Sequence, residues 1–116
     1  MLFRSHHLAS SKARTGFCPI STNVSKVNLR NKSLNMKTYI NGELKQHGNL
    51  KDIIFNPYKS VSYISKFVKL QKGDIILTGT PTTVNGGPQF DCLVKPGDEI
   101  KHTIDGLGEL NYKFSL

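Results

Sequence analysis

The chain has 116 residues, which makes it one domain or part of one. Its hydrophobic share of 37% contains no apolar run near the ~18 residues of a membrane span, which excludes a transmembrane helix as an expectation. The net charge of +8 raises nucleic acid as a partner, but the basic residues are scattered and most aromatic residues sit at periodic positions that read as core, so neither a nucleic-acid nor a membrane partner is expected.

In chain order, residues 1–11 read as a leader or an irregular terminus. The first acidic residue is Glu43, and Arg4, Lys12, Arg14, Lys26, Arg30, Lys32 and Lys37 precede it. An acid-free, Ser- and Arg-containing start suits a mitochondrial transit peptide; an ordinary terminus, or a start inside a longer reading frame, fits it too. The compartment expected is therefore mitochondrial or cytoplasmic. Cys18 and Cys92 form no Cys-x-x-Cys pair and suggest free thiols.

Residues 17–32 are polar and irregular, with Pro19 and several Ser and Asn residues. A hairpin follows. Met36-Lys37-Thr38-Tyr39-Ile40 meets Asn41-Gly42, and Glu43-Leu44-Lys45-Gln46 returns. Asn-Gly supplies the positive φ angles of a type I′ turn. Ile53-Ile54-Phe55 is a short apolar approach to a helix expected near 57–69. Asn56 caps that helix and Pro57 takes its first position. Val61, Ile64 and Val68 form one stripe at i, i+3 and i+7, flanked by Tyr63 and Phe67.

Gly73 stops the helical pattern, and Ile75-Ile76-Leu77 reads as a strand covered on both faces. That strand ends in the corner Thr78-Gly79-Thr80-Pro81. Asn85-Gly86-Gly87-Pro88 is a loop, and Pro96-Gly97-Asp98 is a turn. Ile100, His102 and Ile104 alternate inward, Asp105-Gly106 turns the chain, and Leu110, Tyr112 and Phe114 alternate on the return. Asp74 and Asp98 each follow a glycine and read as turn formers. The fold class expected is α+β, with β-rich mixed or antiparallel sheets and one main helix.

Read in order, these landmarks resemble the fumarylacetoacetate hydrolase family. Lys12 with Phe17-Cys18-Pro19-Ile20 resembles its lysine segment. Tyr39-Ile40-Asn41-Gly42-Glu43-Leu44-Lys45-Gln46 resembles its Asn-Gly-Glu-x-x-Gln hairpin. Gly73-Asp74 through Thr78-Gly79-Thr80-Pro81 resembles its signature corner, and Pro96-Gly97-Asp98 with Gly106-Leu107-Gly108 completes the series. The resemblance assigns 12–116 to the C-terminal half of the family's catalytic domain. It implies a β-rich cleft, usually in a homodimer. It also implies a divalent cation, generally Mg²⁺, that chelates a 2-oxo acid or 1,3-dicarbonyl substrate for hydrolysis, decarboxylation or keto–enol exchange.

Within that resemblance, Lys12 stabilises the developing enolate, and Thr80 with Gly79 binds the substrate. Glycine lets backbone approach a ligand, and the threonine hydroxyl and nearby N–H groups can hold a carboxylate. The local pattern equally suits a strand-ending corner in which Thr80 bonds its own backbone, and Lys12 equally suits a solvated leader lysine. The family's Glu-x-Glu pair, later Asp and His-Glu pair lie upstream of its lysine segment and have no counterpart here, since no carboxylate precedes Glu43. No metal ligand is therefore assigned to this chain; His6-His7 is no substitute, because Mg²⁺ prefers oxygen. The chain is expected to be inactive by itself. The alternative is a non-catalytic module that pairs with a full-length homologue, burying apolar patches that a half-domain exposes.

Overall fold

The computed structural model describes residues 15–16, 18–22, 24–30, 32–84 and 93–115. Lys12, the leader, Phe17, Cys92 and the loop 85–90 lie outside the described residues. What is described is an antiparallel four-stranded sheet with one helix. The strands are β1 (Asn35–Ile40), β2 (Glu43–Asn49), β3 (Glu99–Ile104) and β4 (Gly108–Lys113), and α1 is Pro57–Ile64. Their order in the sheet is β2-β1-β3-β4. The expected α+β class holds, and every strand pair is antiparallel among the described residues.

Both hairpins form where turn chemistry placed them. Asn41 and Gly42 carry φ of 51° and 82°, the left-handed pair that a two-residue loop requires. A bulge at Thr38/Tyr39 shifts the register, so that Thr38 faces Gln46 and Tyr39 faces Leu44.

The two hairpins are joined at β1 and β3, and asparagines fasten both ends of that seam. At one end Asn41 donates to Asp98 at 2.8 Å and accepts from the Glu99 N–H at 2.9 Å. At the other, Asn35 donates to Asp105 at 2.7 Å and accepts from Asn49 at 2.9 Å. Asp74 and Asp98 are turn formers as the sequence suggested. Each carboxylate accepts a backbone N–H at 2.7 Å, from Gln71 and Lys95 respectively. The bond from Asn41, then that from Lys95, holds the Asp98 carboxyl below its ordinary range.

The core is small and lies on one sheet face. Ile40 and Ile100, register partners, are 8% and 4% exposed, and they are the buried apolar residues among those described. Elsewhere the structure corrects the sequence reading. Helix α1 ends at Ile64 rather than near 69. Its N-terminus is capped as expected, with Asn56 accepting from the Lys59 N–H at 2.9 Å. At its other end, Lys66 and Phe67 bond back only three residues, to Tyr63 and Ile64, and the Ser65 hydroxyl donates to the Ser62 carbonyl. Those tighter bonds turn the last residues out of the α-helix.

The stripe expected to be core is mostly open. Val61, Phe67 and Val68 are exposed, as are Tyr58, Tyr63, Ile54 and Phe55. Ile75-Ile76-Leu77 takes no regular secondary structure, and Ile75 and Leu77 stand 63% and 66% exposed. A strand covered on both faces needs neighbours to pair and pack with; among the described residues no ladder includes this triplet. The segment before the sheet touches α1 through Tyr58, whose hydroxyl accepts from the Leu29 N–H and donates to Asn28, with the Arg30 guanidinium 5.5 Å from its ring centroid.

Candidate functional site: the Thr-Gly-Thr-Pro corner on strand β2

The corner at 78–81 lies along the open edge of β2. Strand β2 pairs with β1 on one side, and its other edge receives the chain as it leaves the corner. Thr83 makes an isolated antiparallel bridge to Gln46, and the Val84 N–H donates to the Lys45 carbonyl at 3.0 Å. Gly48 makes room for this approach. A Cβ built there would lie 2.7 Å from Pro81 Cβ and 2.9 Å from Pro81 Cγ, inside van der Waals contact. Gly79 has φ +105°, which side-chain-bearing residues rarely adopt, and among the described residues nothing lies within 4 Å of where its Cβ would stand. The corner is therefore fixed on its β2 side and open on the other.

Thr80 is exposed and bonds the Gln46 side chain rather than its own backbone. Gln46 Nε2 donates to Thr80 Oγ1 at 3.1 Å and to the Pro81 carbonyl at 3.0 Å. Thr80 Oγ1 also lies 3.4 Å from Gln46 Oε1.

A second polar group continues from this point across the sheet. Gln46 faces Thr38 in register, and Thr38 faces His102. Thr38 Oγ1 lies 3.1 Å from His102 Nδ1, and His102 Nε2 lies 3.0 Å from the Tyr112 hydroxyl. Paired residues of antiparallel strands share a face, so Gln46, Thr38 and His102 form one polar row from the corner over β2, β1 and β3; on β4 His102 is paired with Leu110, and Tyr112, two residues on along the same face, reaches it diagonally. His102 is half-buried, and desolvation holds its imidazole below the ordinary value. The same cause raises the Tyr112 phenol. Sequence reading placed His102 and Tyr112 on inward positions but did not connect them. The missing signal was the strand pairing, which sets His102 opposite Leu110 and so brings Tyr112 beside it on the diagonal.

Of the residues assigned from sequence, Thr80 and Gly79 come together here, whereas Lys12 lies outside the described residues. No group of three or more His, Cys, Asp or Glu side chains among them is placed to hold an ion, so the divalent cation implied by the resemblance does not fit this set. No helix among the described residues is long and apolar enough to cross a membrane.

A distinct groove of about 1020 Å³ separates α1 from the Ile75–Leu77 triplet, with Phe55, Tyr58, Tyr63, Ile64, Ile76 and Leu77 in its walls. Its size matches the upper end of small-ligand pockets. Four of these wall residues, Phe55, Tyr58, Tyr63 and Leu77, are exposed while Ile64 and Ile76 are half-buried, and an aromatic pair, Tyr63 and Phe67 at 5.2 Å between centroids, stands beside it.

The antiparallel sheet, the glycine-shaped corner and its threonine define a β-rich domain with an exposed polar corner on one sheet edge, and comparison with known proteins specifies its family. Residues 2–115 match the family description Fumarylacetoacetate (FAA) hydrolase C-terminal. The chain belongs to the fumarylacetoacetate hydrolase family. An uncharacterised protein of Staphylococcus epidermidis is 42% identical over 102 residues, covering 86% of this chain and 34% of its own length. Maleylpyruvate hydrolase from Sphingobium sp. SYK-6, solved with manganese(II) and pyruvate, is 36% identical with TM-score 0.61, over 72% of this chain and 29% of that one. Fumarylpyruvate hydrolase from Pseudomonas aeruginosa, solved with Mn²⁺ and pyruvate, is 30% identical with TM-score 0.60, over 72% of this chain and 33% of that one. The chain thus spans about a third of the length of the relatives it matches.

Proposed function

We propose that this chain supplies one wall of a fumarylacetoacetate-hydrolase-type cleft for a 2-oxo acid or 1,3-dicarbonyl, and that residues 12–116 form that partial domain. The observation that carries the proposal is the corner itself. Thr80 is exposed, sits on a backbone fixed against β2, and follows a glycine whose open side admits a ligand. The hydroxyl of Thr80 and the backbone of Gly79 bind the substrate carboxylate. Lys12 stabilises the negative charge that grows on the substrate oxygen as it becomes an enolate, an electrostatic role suited to an ammonium in a dry cleft. The reaction class is acylpyruvate hydrolysis, oxaloacetate decarboxylation or keto–enol exchange.

Two relatives were solved with Mn²⁺ and pyruvate, which supports a divalent ion and a 2-oxo acid in this family. Mg²⁺ is the ion proposed, held by groups other than the described residues. The chain alone is then inactive. The test is direct: the purified chain is assayed with an acylpyruvate and with oxaloacetate in Mg²⁺ or Mn²⁺, while Gly79 and Thr80 backbone resonances are followed during a pyruvate titration. No turnover, with shifts confined to the corner, is expected. Metal-dependent turnover overturns the inactivity; an unmoved corner overturns its role in substrate binding.

A second reading is favoured by the uncovered faces of α1 and Ile75–Leu77. In it the chain is a non-catalytic module that packs against a full-length member of its family. Co-elution with the full-length S. epidermidis relative supports this reading, and separate elution at all concentrations removes it. A mitochondrial or cytoplasmic place is proposed for either.

A further inference from the structure

Gln46 closes the Asn-Gly-Glu-x-x-Gln hairpin, and its amide is spent on the corner. The two candidate bonds between Gln46 and Thr80 differ in quality. The N–H···O separation, 3.1 Å from Nε2 to Oγ1, lies inside the usual range of about 2.7–3.2 Å. The O–H···O separation, 3.4 Å from Oγ1 to Oε1, lies outside the usual range of about 2.5–3.0 Å. Thr80 Oγ1 is therefore the acceptor. The second hydrogen of Nε2 goes to the Pro81 carbonyl at 3.0 Å. A hydroxyl has one hydrogen and two lone pairs. With one lone pair occupied by Gln46, its hydrogen remains available to the open side of the corner.

We infer that Gln46 is a positioning residue that fixes Thr80 as a hydrogen-bond donor toward an anionic ligand, a carboxylate in the first instance. The inference deepens the reading of Thr80 as a substrate residue and rests on it. Glutamine suits the task because its amide nitrogen carries two donors, one for the side chain and one for the main chain of the same corner. Glutamate at the same place presents only acceptors. It takes the Thr80 hydrogen for itself, faces the Pro81 carbonyl with like polarity, and sets a negative charge beside the ligand's own. Gly48, two residues on, complements the amide by letting Pro81 lie against the strand.

The experiment uses the full chain and two readouts. The first needs no substitution: solvent exchange of the Gln46 side-chain amide protons is compared with that of exposed Gln71. Both Gln46 protons are expected to exchange more slowly, and Thr80→Val is expected to release one of them and leave the other. Exchange as fast as that of Gln71 overturns the inference. The second is titration with pyruvate, read at the Thr80 methyl and amide. Gln46→Met is expected to weaken binding several-fold and Gln46→Glu about tenfold or more, since a charged acceptor removes a charge-assisted bond and adds repulsion. The backbone shifts of the β3–β4 hairpin verify that each variant is folded. If Thr80→Val weakens binding and neither Gln46 variant does, the positioning role falls and the Thr80 reading stands. If Thr80→Val binds as well as the original chain, or the original chain shows no response, the Thr80 reading falls and takes the carboxylate donor with it.

Discussion

The four-stranded sheet and the segment between its hairpins are both rich in apolar residues, yet they end in opposite states. In the sheet, Ile40 and Ile100 are buried against each other's strands, and asparagines close both ends of the β1–β3 seam. Between the hairpins, Ile54, Phe55, Phe67, Val68, Ile75 and Leu77 stand more than half exposed. The difference is one of partners rather than of composition. A hairpin carries its first partner beside it in sequence, so its backbone bonds and one face are satisfied locally. A short helix and an unpaired apolar triplet need surfaces from elsewhere. Exposed apolar area on this scale is more than most monomeric proteins leave open, and about two thirds of the length of the relative that shares this sequence lies beyond the match.

Three measurements break or sharpen that contrast. The largest effect is expected in the sheet. Ile100→Ala should cost about 2–5 kcal/mol, the range for truncating a buried aliphatic side chain, read as a lower urea midpoint. A loss of this size would consume much of the ordinary stability of a small domain, about 5–15 kcal/mol. A negligible change would mean that the sheet does not hold the chain together.

A smaller effect concerns pH. His102 titrates below its ordinary value of 6.5 in the folded chain because burial disfavours its charged form. The unfolded chain therefore binds the proton first as pH falls. The contribution of His102 is complete above about 6.5 and is lost as pH drops from there through the lowered folded value. His102→Gln should flatten this part of the stability–pH curve. An unchanged slope would assign it to other groups.

The smallest effect on stability is expected between the hairpins. Phe67→Ser with Ile75→Ser should change the stability by no more than about 0.5 kcal/mol, as for other surface substitutions, read as a nearly unmoved urea midpoint, while abolishing the proposed association with a full-length relative. A loss comparable to that of Ile100→Ala would show that this segment has cover inside the chain, and the contrast would disappear.

Much of this was legible in the sequence. Asn41-Gly42 announced its hairpin, Asn56-Pro57 the start of α1, and Gly73-Asp74 and Gly97-Asp98 their turns, because each depends on residues within a few positions of one another. The order of those landmarks also carried the family. The site was legible only in part. Thr80 and Gly79 could be singled out on the corner, but the bond from Gln46 joins residues 34 apart in sequence, and no local pattern encodes it. The same holds for the row from Thr38 through His102 to Tyr112.

The sequence by itself determined where the chain turns, which residues begin its helix and which strands alternate, since backbone chemistry and side-chain period act at short range. Only the tertiary structure decided which apolar residues are covered, where the helix ends and which side chain holds Thr80. Those outcomes depend on strand register and on what packs against each face, and a run such as Ile75-Ile76-Leu77 reads the same whether or not a neighbour is there to bury it.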